Sequence, residues 1–211
     1  MASAGSPKCC LELLKNVGKL KHLKRTGWVM RKVPNPETVS GHMYRMSIAA
    51  MMFDHSDNVD TNRVLRMCLV HDMAESIVGD ITPHCGVTQQ DKHEQELTAM
   101  TRLAELPAHS SGQEMLTLFK EYEDQSTPEA HVVKDLDRFD MILQAFEYEI
   151  SENKPGWLDE FFTSTEGKFK HPRVVKWVQE LYRQRHEFIT SSNESQATSN
   201  AGAVPDTAPG S

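Results

Sequence analysis

The chain has 211 residues, with 23 lysines and arginines against 30 aspartates and glutamates, a formal charge of -7, and 38% hydrophobic residues. That length fits one compact domain with a core large enough to wall a small-molecule pocket. The negative mean field repels the backbone of a long nucleic acid, yet it leaves room for a small phosphorylated ligand held by a metal ion or a local cationic cluster. Cys9, Cys10, Cys68 and Cys85 show no C-x-x-C spacing, no secretory signal precedes them, and no segment approaches the roughly 20 apolar residues of a membrane span, so a reduced, cytoplasmic protein without a membrane anchor is expected.

Residues 1–10 read as a flexible N-terminus. Leu11, Leu14, Val17 and Leu20 then recur at helical spacing in LELLKNVGKLKHL, predicting an amphipathic helix that ends before RTGWV and the loop VPNPETVS, where Pro34 and Pro36 exclude continuous helix. Thr38 or Ser40 can cap the next helix, which from His42 runs through HMYRMSIAAMMFDH and reads as largely buried, with Met46, Met51 and Met52 filling core gaps. A third helix is predicted after Asp60 through TNRVLRMCLVHDMAESIV, with Val64, Leu65, Cys68 and Leu69 inward and Gly79 as its stop. Residues 88–106 and 112–124 predict two polar-surfaced helices punctuated by Pro107 and Gly112. Thr127 and Pro128 read as N-cap and first position of a long helix with apolar residues at 132, 133, 136, 139, 142, 143 and 146. NKPG breaks it, a short aromatic segment spans Trp157 to Phe162, and Pro172 opens a last helix through Phe188. Residues 190–211, TSSNESQATSNAGAVPDTAPGS, hold too little apolar surface to fold and are expected to form a disordered tail. No period-two pattern and no internal repeat is present, so the fold class is all-α, a single helical domain over residues 11–189.

His71-Asp72 lies near the end of a helix that is otherwise apolar on one side, a costly place for an ionisable pair without a partner. Neighbouring helix positions diverge by about 100°, so both side chains reach one ion only if it lies in the wedge between them. His42 opens the preceding long helix, and Asp137 is on the inward side of the later one, flanked by Leu136 and Phe139. Two imidazoles and two carboxylates make a mixed N/O set suited to a divalent ion such as Mn, Co, Zn, Fe or Mg. Taken singly, each of the four is more often an ordinary core or surface residue; their order H…HD…D on successive long helical segments is what points to a metal centre. Glu75, four residues after His71, falls on the same helix face one turn along, where a carboxylate can move a proton at a reacting water or a leaving oxygen. Its plainer reading is a solvated surface carboxylate. His84 with Cys85, and His93 with Glu94 and Glu96, read as loop and exposed helix face rather than as ligand sets.

RTGWVMRKV, PETVSGHMYRM, LVHDMAESIVGDI, VVKDLDRFDMILQA and PGWLDEFFTSTEGKF together resemble the HD-domain phosphohydrolases, and more narrowly the 5′-deoxynucleotidase family, over nearly everything from residue 11 to 188. The resemblance implies an HD-domain helical bundle in which His42, His71, Asp72 and Asp137 hold the principal divalent metal. It implies that Glu75 and Asp80 lie next to the substrate phosphate and, in some relatives, bind further metal together with the backbone carbonyl of Ile81. It also implies that Arg25 and Trp28 contact substrate. Arginine suits bidentate phosphate binding, and a rigid indole against the sugar excludes a 2′-hydroxyl; read alone, the two are a surface arginine and a core tryptophan. The implied reaction is hydrolysis of a deoxyribonucleoside 5′-monophosphate, with Asp72 orienting the attacking water as well as binding metal and Glu75 transferring the proton. The implied partners are a small-molecule deoxyribonucleotide substrate and a second copy in a homodimer, with no polymeric nucleic acid and no membrane. Gly41 stands before the first histidine where relatives usually carry an acidic residue, so this helix start lacks a capping carboxylate. Another HD phosphohydrolase or phosphodiesterase activity, and a non-catalytic nucleotide-sensing module, are the alternatives left open.

Overall fold

The structure, a computed structural model, describes the backbone of residues 3–201 and the side chains of residues 3–194. Among the described residues it has ten α-helices, three short 3-10 turns and no strand beyond an isolated antiparallel bridge between Lys24 and Thr38. None of the described helices is long and apolar enough to cross a membrane. The chain divides into two compact units, Met1–Asp140 and Met141–Ser211, and the division falls within the eighth helix.

In the first unit, α1 spans Pro7–Val17 and passes into a 3-10 turn over Gly18–Lys21. It begins before Leu11 because the Ser6 side chain caps it and Pro7 presets the first helical φ, while Gly5 N–H donates to the Leu106 carbonyl (3.0 Å) and ties down residues expected to be flexible. Leu13 and Leu20 face inward, whereas Leu11 and Leu14 are exposed; two apolar stripes overlap in LELLKNV and spacing alone does not choose between them. A short α2, Thr26–Met30, forms inside RTGWV and carries the buried Trp28. Thr38 then caps α3, Val39–Ala50, by accepting the Gly41 N–H (3.2 Å), which makes His42 its fourth residue. Met46 is core, but Met51 and Met52 lie past the helix end and are exposed.

The predicted third helix is interrupted at the residues of most interest. α4 covers Thr61–Cys68 behind an Asp60 cap, α5 covers only Glu75–Val78, and the chain between is wound in turns. The cause is local. His71 Nδ1 lies 3.0 Å from the Cys68 carbonyl, the acceptor that an unbroken α-helix would offer to the Asp72 N–H. Downstream, Met73, Glu75, Ser76 and Ile77 each donate three residues back rather than four. The tighter winding also leaves Leu69 exposed, so Val64, Met67, Cys68 and Val70 are the inward set.

Beyond this point α6 spans Gln89–Ala104 and α7 spans His109–Asp124. Gly112, expected to separate them, lies inside α7. A Cβ there would sit 1.9 Å from the Ala104 carbonyl oxygen, so glycine lets α7 press against the end of α6. The long α8, Pro128–Ser151, starts as expected, with Thr127 Oγ1 accepting the Ala130 N–H (3.2 Å).

The second unit holds the end of α8, then α9, Asp159–Thr165, and α10, Pro172–Ala201. Its core includes Ile142, Phe146, Leu158, Phe162, Val174 and Leu181, and it holds a buried ion pair. Both oxygens of Glu149, 0% exposed, are bonded to Arg185 (2.8 and 2.9 Å), one also accepts the Leu158 N–H (2.9 Å), and the guanidinium lies 3.7 Å over the Phe162 ring. α10 outruns the expected end at Phe188. Residues 190–201 contain neither Pro nor Gly, and a helix already nucleated extends by one hydrogen bond per residue. Residues 202–211 of the expected tail lie outside the described residues.

Candidate metal centre

All the residues singled out for chemistry belong to the first unit. His42 on α3 and His71 after α4 are buried, at 0% and 3% exposure, with ring centroids 5.6 Å apart. His42 Nε2 lies 3.3 Å from Asp137 Oδ1 and 3.9 Å from Asp72 Oδ2, and His71 Nε2 lies 3.3 Å from the same Asp72 oxygen. Candidate ligand atoms of His42, His71 and Asp72 fall within 4.8 Å of one another.

What such a set needs follows from its hydrogen bonds. His42 Nδ1 is 2.7 Å from Asp140 Oδ2, and His71 Nδ1 is 3.0 Å from the Cys68 carbonyl; both neighbours only accept, so each Nδ1 carries hydrogen and each Nε2 offers a lone pair. Both Nε2 atoms are buried without a hydrogen-bond partner, and both face carboxylate oxygens. Lone pairs turned toward carboxylates repel unless a cation lies among them. The residues therefore fit a divalent ion, as an N/O set of acceptors converging on one point. Without one, a proton answers the same field: burial and Arg25 oppose it, but Asp137 and Asp140 outweigh them and lift His42 to about 9.

A second cluster, Glu37, His42 and Asp140, lies on the Nδ1 side of the same ring. There Arg45 Nε donates to Asp140 Oδ1 (2.5 Å) and Trp28 Nε1 donates to Glu37 Oε1 (2.9 Å). Protein donors thus occupy that side, and the Nε2 side is the one left for an ion.

Asp137 is held from behind. Its Oδ2 accepts Tyr122 Oη (2.9 Å) and Lys134 Nζ (3.0 Å), which leaves Oδ1 toward His42. Burial works against the charge on Asp137, but Lys134, His42 and Arg25 hold its pKa well below the usual carboxylate range. Asp72 is likewise kept ionised against its burial by His71, Arg25 and His42. Arg25 places Nη1 3.4 Å from Asp72 Oδ2 and Nη2 4.0 Å from Asp137 Oδ1, so its guanidinium bridges the two carboxylates.

Glu75 is 5% exposed with Oε2 unpartnered, and burial, Asp72 and Asp80 push its carboxyl well above the ordinary range. The Glu75 N–H donates to the Asp72 carbonyl three residues back (3.1 Å), and the Asp72 charge is the largest Coulombic influence raising its carboxyl. Asp80 Oδ2 accepts the Thr26 N–H (2.6 Å) and its carbonyl accepts Thr26 Oγ1 (2.7 Å), which ties this loop to the start of α2 and so to Arg25. Ile81, half-buried, follows Asp80 and joins none of these contacts. Trp28, at 1% exposure, packs in the core with its indole N–H donated to Glu37 Oε1 (2.9 Å).

Asp140, Arg45, Glu37, Tyr122 and Lys134 are the members the sequence reading missed. Asp140 alone left a signal, being three residues after Asp137 and hence on the same face of α8. A cleft of about 670 Å³, whose walls include Lys92, His93, Glu96 and Glu123, shares Tyr122 and Lys134 with the centre.

A family model described as HD domain matches residues 17–175. The mouse (Mus musculus) 5′-deoxynucleotidase HDDC2 is 47% identical over 92% of this chain and 96% of its own length. The 5′-deoxynucleotidase YGK1 of Saccharomyces cerevisiae is 38% identical over 89% of this chain and 88% of its own length. Among solved structures, a conserved hypothetical protein from Pyrococcus furiosus superposes with a TM-score of 0.68 at 31% identity, covering 82% of this chain and 99% of the other. With a match through most of its length and the H…HD…D residues gathered at one buried point, the chain belongs to the HD-domain family.

Proposed function

We propose that this protein is a divalent-metal-dependent 5′-deoxynucleotidase, which hydrolyses deoxyribonucleoside 5′-monophosphates to the deoxyribonucleoside and phosphate. The observation that carries the reading is the meeting of two buried, unpartnered imidazole nitrogens with the carboxylates of Asp72 and Asp137; the relatives' names supply the substrate class. His42, His71, Asp72 and Asp137 would hold the ion, one of Mn, Co, Mg, Zn or Fe, while Glu75, Asp80 and the Ile81 carbonyl are the candidates for a further one. When bound, such an ion lowers the pKa of a water and neutralises phosphate charge.

The chain's own residues divide the remaining work. Arg25, fixed between Asp72 and Asp137, offers donors to the phosphate oxygens and balances their charge as the bond to O5′ breaks. Asp72, kept ionised, orients the attacking water. Glu75, whose carboxyl is pushed well above the ordinary range by burial, Asp72 and Asp80, gives its proton to the departing 5′-oxygen, and the proton lost by water restores the carboxyl group. Trp28 supports Glu37 and Arg25 from the core, and the cleft beside Tyr122 and Lys134 has room for the nucleoside.

The functional domain is residues 11–189, a span that contains the family match. We assign the protein to the cytoplasm as a homodimer. All four cysteines are free, and Tyr44 and Ile48 on α3, with Met51 and Met52 just past its end, are exposed apolar side chains that a second copy can cover. Sedimentation at two concentrations reads the assembly.

Metal-stripped protein reloaded with each of the five ions, with kcat/KM measured in parallel on dAMP and AMP, tests the activity. At least one ion should restore phosphate release, faster from dAMP than from AMP, and an oligodeoxynucleotide should stay intact. No release from any deoxynucleotide with any of the ions overturns the reading.

A further inference from the structure

We propose that Asp140 and Arg45 are positioning residues that hold His42 in the one tautomer and orientation able to take a divalent cation. The inference rests on the metal-dependent reading above. An imidazole has two nitrogens, and the His42 ring is approached on both sides by carboxylates, so the ring by itself does not decide which nitrogen faces an ion. Asp140 decides it. Its Oδ2 lies 2.7 Å from Nδ1, both residues are buried, and the hydrogen on Nδ1 leaves the Nε2 lone pair directed at Asp72 and Asp137.

Asp140 is in turn fixed by Arg45, whose Nε donates to Oδ1 (2.5 Å) and whose Nη2 donates to the backbone carbonyl of the same residue (3.3 Å). This second contact matters. An arginine that grips both carboxylate and carbonyl fixes the side chain and the helix turn that bears it, and it occupies the oxygen with which Asp140 would otherwise ligate a metal. The arrangement is reciprocal: His42 and Arg45 are three residues apart on α3, Asp137 and Asp140 are three residues apart on α8, and each helix contributes one ligand and one residue that aims the other helix's ligand or its holder. Carboxylate–imidazole–metal triads of this form set ring orientation and ligand basicity, and loss of the outer partner weakens metal binding by roughly 10- to 100-fold.

The test reads metal binding without substrate. Full-length, metal-stripped wild type, Asp140→Asn, Arg45→Gln and Arg45→Lys are titrated with Co²⁺ against a competing chelator, with the visible Co²⁺ spectrum and the Tm of each metal-free protein recorded. Asn in place of Asp140 turns an amide donor toward Arg45 and removes the charge behind His42, so affinity should fall roughly 10- to 100-fold with an altered spectrum. Arg45→Gln should fall less, and Arg45→Lys should recover most of the loss. Arg45 is partly exposed, so its variants keep the fold if Asp140→Asn does not. Wild-type affinity and spectrum in either Asp140→Asn or Arg45→Gln, with or without a lower Tm, overturns the proposal, since a merely structural pair would move Tm alone. Wild-type protein that binds Co²⁺ but releases no phosphate from dAMP sinks the deoxynucleotidase reading and leaves this inference standing; wild type that takes up no Co²⁺ sinks both.

Discussion

Glu75 and Glu96 are both buried carboxylates near the same centre, and their surroundings separate them. Glu75 has an unpartnered oxygen and faces Asp72 and Asp80, whereas Glu96 lies 3.6 Å from Lys92 Nζ. Burial still outweighs Lys92 and lifts Glu96 from 4.5 to about 7. A carboxyl raised in the folded state stabilises fully below about pH 4.5, and that contribution is lost as pH rises through about 7. Glu96→Gln is neutral at every pH. Its Tm should therefore exceed that of wild type at pH 8, with a gain of about 1 kcal/mol once the Lys92 pair and solvent screening are allowed for, and should converge with wild type toward pH 4. A difference that does not change with pH would refute this. At this scale the four candidate ligands were legible through their order H…HD…D on successive helical segments. Arg45, Tyr122 and Lys134 were not, because a charged or phenolic residue on a helix is ordinarily a surface residue, and only proximity in space gives these three a task; Asp140 left only its spacing of three from Asp137.

Helix ends carry the next level of information. Thr38 caps α3 through the Gly41 N–H, and Gly41 is exposed, has an ordinary helical φ, and has only Thr38 Oγ1 near its missing Cβ, at 3.4 Å. Gly41→Glu would complete a Thr-x-x-Glu capping box, add charge complementary to the helix dipole and restrict the unfolded chain. A gain of about 1 kcal/mol, or about 2–4 °C in Tm for a chain of this size, is expected in thermal unfolding of the metal-free protein. An unchanged or lower Tm would mean that another feature of the α3 start sets its stability. The helix carrying His71 was harder to read. Apolar spacing through residues 61–78 fits one continuous helix, and the His71–Cys68 contact that breaks it is a side-chain competition no periodicity records. Gly112 misled for a related reason: glycine marks a helix end in many sequences, but here it marks a close approach of two helices.

For the molecule as a whole, stability and function draw on different ion networks. The Glu149–Arg185 pair in the second unit contributes no ligand to the candidate metal centre, yet Glu149 is fully buried and Arg185 is the cation bonded to both of its oxygens. Arg185→Met should cost about 3–5 kcal/mol, because it strands a buried charge, and Glu149→Leu made together with it should recover much of that loss. Thermal unfolding of the two single variants and the double variant measures this, and a wild-type Tm in Arg185→Met would discard it. The sequence by itself determined the all-α class, the order of most helices and the identity of the H…HD…D residues, since hydrophobic spacing and rare polar placements are properties of local chain. Only the tertiary structure decided that Trp28 lies in the core, that Glu75 is buried with an unpartnered oxygen, and that His42 meets Asp140 across 98 residues. Periodicity tells which face of its own helix a residue occupies, but what stands opposite that face is set by the packing of another helix.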